Sequence, residues 1–182
     1  MEYKHIADIE LDKAFNEVED IRFEELTHDN YDLACQIDRS DVSEAFVDSI
    51  STIMENTDYG VEHGCLGHTF LVSSGGVYIG VILLGEAIPW ETDPPQVKRE
   101  PFYRLMGFFI DKNWRKQGLG GRILEESIRK VYQDFGERHI VLGCHKDNLG
   151  AARFYEKHGF IRSEYSEGND IYYLRCNQKL KQ

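Results

Sequence analysis

The stretch 103–135 constrains this chain more than any other, because it sets a buried strand, a glycine loop and an amphipathic helix end to end. Leu105-Met106-Gly107-Phe108-Phe109-Ile110 is apolar and aromatic-rich, too short for a membrane span, and predicts a buried strand. Beyond Arg115-Lys116-Gln117-Gly118-Leu119-Gly120-Gly121, the residues Leu119, Ile123, Leu124, Ile128, Val131 and Phe135 recur at steps of three and four. That spacing predicts a helix with one apolar stripe, stopped by Gly136. A helix start carries N–H groups without intrahelical partners and the positive end of the macrodipole, so a loop wrapped over it binds phosphate oxygens. Glycines let the chain curl and let a ligand approach, and Arg115, Lys116 and Arg122 add positive charge. The segment reads as a pyrophosphate cradle.

Two familiar nucleotide loops do not fit it. A P-loop needs Gly-Lys followed by Ser or Thr, whereas Leu119 follows Gly118. A dinucleotide fingerprint needs a third glycine where Ile123 stands, and an acidic residue closing a strand about 20 positions on. What remains is Arg-x-x-Gly-x-Gly, carried by Arg115, Gly118 and Gly120, directly after a strand and opening a helix.

With 182 residues the chain suits one domain, or one domain plus an N-terminal extension. The start has no apolar run of the secretory kind and no segment is apolar enough to cross a membrane, so a cytoplasmic protein is expected. Cys35, Cys65, Cys144 and Cys176 are scattered without a Cys-x-x-Cys pair, which predicts free thiols and no metal site. The net charge of −11 is uneven: residues 1–60 hold 17 acidic and 4 basic side chains, leaving +2 for residues 61–182. Such a surface repels nucleic acid and anionic lipid, so neither is expected as a partner, and it attracts polycations; it also serves solubility.

Along the chain, residues 1–20 are acidic and loosely amphipathic and read as an extension to a domain spanning 21–182. Residues 21–27 alternate as a strand does, and Thr27 or Asp29 can cap a helix carrying Tyr31, Leu33, Ala34 and Ile37. Ser40 or Ser43 is expected to open a second helix through Ala45, Phe46, Ile50, Ile53 and Met54, with a loop over 56–67. A hairpin turns at Ser73-Ser74-Gly75-Gly76. All four prolines fall within 86–101, predicting a stiff loop of the kind that shapes substrate sites. A strand over 139–144, a helix over 149–158 capped by Asp147 or Asn148, and a hairpin turning at 167–170 complete the pattern. The expected class is α/β (α+β): a mixed central sheet of about six to seven strands flanked by about four helices.

The helix over 149–158 carries a second motif: Asn148, then Ala151, then Phe154-Tyr155, then Gly159-Phe160. Together with Arg115, Gly118 and Gly120 this resembles the GNAT superfamily of N-acetyltransferases, over roughly 21–176. The resemblance implies the GNAT fold, with acetyl-CoA as acyl donor and no metal. It implies that the strand before the loop splays from the next one and that pantetheine enters between them, against the main chain of Phe108 and Ile110. Lys116, Gln117, Gly118, Leu119, Gly120 and Gly121, with Arg115, would hold the pyrophosphate. Asn148 would bond pantetheine beside Ala151, and Tyr155 would be the catalytic residue next to the coenzyme sulfur. A free phenol is a weaker acid than a thiol, so its role is to stabilise the developing thiolate by a hydrogen bond. Dimers are common in the family, so a homodimer is one option the resemblance implies, with no stretch of the sequence identifying its interface.

The amine side is less defined. The glutamate that histone-type members carry on the strand before the loop is absent, and Gly143 stands where ribosomal N-terminal acetyltransferases have theirs. Both departures point away from a protein substrate. Glu44, Glu86, Glu91 and Asp93 remain as candidates to hold an amine, with Trp90 offering a cation–π face. His68 and His145 are candidate bases, although a histidine at a strand end more often serves structure. The spacing from Tyr78-Ile79-Gly80 through Glu86 and Trp90 to Asp111 resembles bacterial spermidine/spermine acetyltransferases, which implies a small polycationic amine. An aminoglycoside-type acetyltransferase and a non-catalytic acyl-CoA-binding module are the alternatives. Cys144 has no neighbour that would activate it, so direct transfer in a ternary complex is expected.

Overall fold

The computed structural model describes residues 21–177, so the expectation for residues 1–20 lies outside the described residues. Seven strands form one mixed sheet: β1 (Ile21–Glu25), β2 (Gly67–Ser74), β3 (Val77–Glu86), β4 (Tyr103–Ile110), β5 (Ile140–His145), β6 (Ile161–Glu167) and β7 (Asp170–Arg175). Their order is β1-β2-β3-β4-β5-β7-β6, and among the described residues only β4 with β5 is parallel. Four α-helices accompany them among the described residues: α1 (Tyr31–Cys35), α2 (Ile50–Glu62), α3 (Leu119–Phe135) and α4 (Leu149–Lys157).

Alternation along the strands assigns the layers. Phe70, Val72, Ile82 and Leu84 pack with the stripe Leu119, Ile123, Leu124, Ile128 and Val131 of α3, and with Ala151 and Tyr155 of α4. Leu71, Val81 and Leu83, on the opposite face, pack with Ala34, Ile50, Ile53 and Met54 from the α1–α2 region. The result is the three-layer mixed architecture expected from the sequence.

Three local expectations differ. The N-cap of α1 is Asn30, without a side-chain cap bond, and not Thr27 or Asp29. Residues 41–48 are turns, and α2 begins only at Ile50, where the hydroxyl of Ser49 accepts the Thr52 N–H at 3.1 Å. Short polar side chains in this stretch hydrogen-bond nearby backbone instead of continuing a helix, as when Ser43 Oγ accepts from Ala45 N–H at 3.3 Å. At the other end, α2 runs through Gly60 to Glu62, where a loop was expected; burial of Ile50, Ile53 and Met54 outweighs the weak helix propensity of its second half.

The feature that positions the site is the parting of β4 from β5. They pair only at Tyr103↔Ile140 and Arg104↔Val141. Beyond that point β4 carries a bulge: Leu83 faces Met106 and Val81 faces Phe109, so Gly107 and Phe108 oppose Ile82 alone. Gly107 takes φ +61°, and a Cβ there would lie 2.6 Å from Ile53, so both conformation and packing require glycine. Meanwhile β5 pairs along its whole length with β7 and follows that strand away from β4. The parted strands leave an opening in the sheet.

Candidate functional site

A cavity of about 410 Å³ occupies that opening. Leu105, Met106, Gly107 and Phe108 wall it from β4; Leu142, Gly143, Cys144 and His145 from β5; and Asn148, Ala151 and Tyr155 from the start of α4. The glycine loop lies at the end of β4. Gly118 is the N-cap of α3 at φ +79°, with no side-chain cap, no acidic residue in the first turn, and open space where its Cβ would be. Lys116 is left-handed too, at φ 63°. The first N–H groups of α3 therefore have no capping side chain, as an anion site requires.

The neighbouring glycines serve another purpose. A Cβ at Gly120 would sit 3.3 Å from the Phe154 ring, and one at Gly121 would sit 2.7 Å from the His158 ring. They let α3 lie close against α4; only Gly118 is glycine for the sake of the loop. Arg115 is also committed within the protein: Nε donates to the Ile110 carbonyl at 2.7 Å and Nη1 to Asp41 at 2.6 Å. The Gln117 amide donates to the Asn113 carbonyl at 3.1 Å.

Loop and cavity are stapled to each other. Asp111 Oδ2 accepts the Asp38 N–H at 2.8 Å, and Lys112 forms an ion pair with Asp38 at 2.8 Å. Arg39 donates to the carbonyls of Asp48 and Val47. Segment 41–48 is thereby held over the cavity, where Phe46 meets the His145 ring at 5.2 Å. The segment adds Glu44 and Asp48 to the wall, and the β6–β7 hairpin adds Glu167 and Asp170. Glu167 is held by the Tyr172 hydroxyl at 2.9 Å and the Thr92 hydroxyl at 3.3 Å. Burial together with the Glu167 carboxylate holds the Tyr172 phenol at about 12. Against these four carboxylates stand Arg104 and His145, and Arg104 is neutralised by Asp93 at 2.7 Å. The wall is net anionic.

Of the candidates to hold an amine, Glu44 and Trp90 line the cavity and Glu86, Glu91 and Asp93 do not; of the two candidate bases, His145 lines it. Asp93 is 1% exposed beneath it, accepting from Arg104 and, at 2.7 Å, from the Trp90 N–H. The Trp90 ring already has a cation, the Arg104 guanidinium 3.8 Å from its centroid. Glu86 accepts the Leu66 N–H at 3.3 Å and pairs with Arg138 at 3.2 Å, lining a second cavity of about 260 Å³. The Glu91 carbonyl accepts from Lys98 at 2.9 Å, and its side chain is absent from either wall. His68 bridges Glu25 and Asp134 and stacks on Phe70, a structural pin outside the β4–β5 opening. Asp48, Glu167 and Asp170 were missed; the signal for the last two was a pair of acids flanking Gly168-Asn169 in the closing turn.

On the far wall, the Asn148 side-chain oxygen caps α4 by accepting the Ala151 N–H at 3.2 Å, so its amide NH2 remains as donor. Tyr155 packs edge-on against Phe154 and Phe160. Desolvation, and secondarily Cys144, push its phenol well above the ordinary tyrosine value, so it stays protonated with an O–H to donate. The Cys144 thiol is itself raised to about 11, mainly by burial, which keeps it an unreactive thiol.

Comparison with known proteins adds to this geometry. Residues 15–160 match the family model described as the acetyltransferase (GNAT) family. A 53-residue stretch is 34% identical to a probable spermine N(1)-acetyltransferase of Bacillus subtilis subsp. natto (strain BEST195); it covers 29% of this chain and 35%, about a third, of that protein. Among solved structures, AAC(6')-Ib in complex with ribostamycin and coenzyme A matches with a TM-score of 0.67 at 16% identity, over 90% of this chain and 97% of that one. The PaiA N-acetyltransferase of Thermoplasma acidophilum in complex with coenzyme A matches with a TM-score of 0.60 at 16% identity, over 87% and 99%. At these identities the structural likeness speaks for the fold.

Proposed function

The chain belongs to the acetyltransferase (GNAT) family, and from that membership we propose that it moves an acetyl group from acetyl-CoA to the primary amine of a small polycationic molecule. The observation that carries the amine half is the ring of Glu44, Asp48, Glu167 and Asp170 around the cavity between the parted strands. Carboxylates on several sides of one cavity suit a molecule with more than one ammonium group. The partial match to a probable spermine acetyltransferase points the same way.

Acetyl-CoA supplies the activated thioester. The uncapped start of α3 and Lys116 offer donors and charge for its diphosphate. The main chain of Phe108 at the bulge and the Asn148 amide flank the path of the pantetheine arm. The Tyr155 hydroxyl, kept protonated by its surroundings, stabilises the sulfur as it takes up negative charge. The acceptor then attacks within a ternary complex.

The test is thiol release from acetyl-CoA with a panel of polyamines, aminoglycosides, amino acids and peptides. Turnover highest with linear polyamines is expected. A preference for aminoglycosides would keep the polycation reading and move the substrate class. A preference for neutral or acidic amines would overturn it, and coenzyme binding without turnover on any amine would make the protein a non-catalytic binder.

A further inference from the structure

An alkyl amine reaches the site as an ammonium ion and must lose a proton before its nitrogen can attack. From Leu105 to Ile110, β4 offers no titratable side chain, and on β5 Gly143 offers none. The space above Gly143 is nevertheless filled by a carboxylate. A Cβ built on Gly143 would lie 3.4 Å from the Cβ of Asp170 and 3.8 Å from its Oδ2. Asp170 is the first residue of β7, the cross-strand partner of His145, and it shares the cavity with Asn148 and Tyr155.

The groups around it favour a base. Partial desolvation, then Asp48 on the covering segment and Glu167 on β6, raise the Asp170 carboxyl above the usual carboxylate range, while His145 on β5 draws it back. Cys144, also on β5, senses the Asp170 charge and stays a neutral thiol. His145 is a poorer candidate, because its Nδ1 is already engaged by the Asp147 N–H at 3.2 Å. Glu167 is taken up by Tyr172 and Thr92.

Resting on the acetyltransferase reading above, we propose that Asp170 is the general base, receiving the substrate proton from the β7 side of the cavity, directly or through one water. Asp170 takes one N–H proton and passes it to solvent. The freed nitrogen lone pair forms the C–N bond to the acetyl carbonyl carbon, and the C–S bond breaks with its electrons on sulfur. The second nitrogen proton ends on that sulfur, giving the amide and free coenzyme thiol. Gly143 belongs to the same device, because a Cβ there would lie in van der Waals contact with the Asp170 side chain.

The experiment is a pH profile of kcat and kcat/KM with the best amine of the panel, for the wild type, Asp170→Asn, and the paired variant Gly143→Asp with Asp170→Gly. Asp170→Asn is expected to lower kcat by about 10²–10⁴-fold and to remove the acid limb, on which the rate falls as pH drops through the raised carboxyl. Its acetyl-CoA affinity, which reports folding, should match the wild type. The paired variant returns a carboxylate to the same space from β5 and should regain the acid limb and part of the rate. A kcat within about threefold of the wild type in Asp170→Asn, or an acid limb that survives there, overturns the assignment of Asp170 while leaving acetyl transfer intact. A wild type inactive with every amine overturns the functional reading, and the assignment with it.

Discussion

Asp93→Ala separates the structural reading of this carboxylate from a role in binding substrate. Asp93 and Arg104 have side chains 0% and 6% exposed and meet at 2.7 Å, and the same carboxylate oxygen accepts the Trp90 N–H. Truncating Asp93 leaves the guanidinium charge buried and opens the contact that fixes Trp90 over it. Breaking a buried pair from one side costs about 3–5 kcal/mol. For a chain of this size each kcal/mol corresponds to about 2–4 °C in Tm, so Asp93→Ala should melt about 6–20 °C lower than the wild type. Adding Arg104→Met removes the orphaned charge and should recover most of that loss. The assay is thermal unfolding of the two single variants and the double variant, alongside KM for the amine. An Asp93→Ala protein that melts with the wild type but shows a raised amine KM would refute the reasoning.

Tyr155→Phe should lower kcat by about 10²-fold with acetyl-CoA affinity unchanged, as measured by single-turnover and binding assays; an equal fall in both would make Tyr155 a packing residue. Gly121→Ala forces a methyl against the His158 ring that meets Glu125 at 3.2 Å, and should cost about 1–3 kcal/mol in chemical denaturation. An unchanged denaturation midpoint would show that α3 and α4 are not in close contact there. Glu44→Gln should raise KM for a polyamine while kcat holds, with the difference shrinking as salt is added; an equal rise for a neutral amine would remove the electrostatic explanation.

What could be read from the sequence follows how local each signal was. The α3 stripe, the hairpin around Gly75-Gly76 and the strand entering the glycine loop rest on spacing within a few residues, and they stand where expected. The start of α2 was misplaced because Ser40, Ser43 and Ser49 are all acceptable caps, and only burial of Ile50 against the sheet selects the last. Glycines 118, 120 and 121 look alike in sequence. Backbone conformation explains the first, and the approach of Phe154 and His158, more than 30 residues on, explains the others. The amine side was least legible. Arg104 claims both Asp93 and Trp90 across the connection between β3 and β4, and no spacing rule reveals that. Asp48 and Asp170 belong to segments more than a hundred residues apart, brought to one cavity by the parting of β4 from β5.

A crystal structure of the acetyl-CoA complex tests the central claim most directly. The diphosphate is expected on the main-chain amides between Lys116 and Gly121, the pantetheine arm between β4 and β5, and the thioester beside the Tyr155 hydroxyl and facing Asp170. Coenzyme bound elsewhere, or a closed β4–β5 opening with the α3 N-terminus making no contact to it, would contradict it.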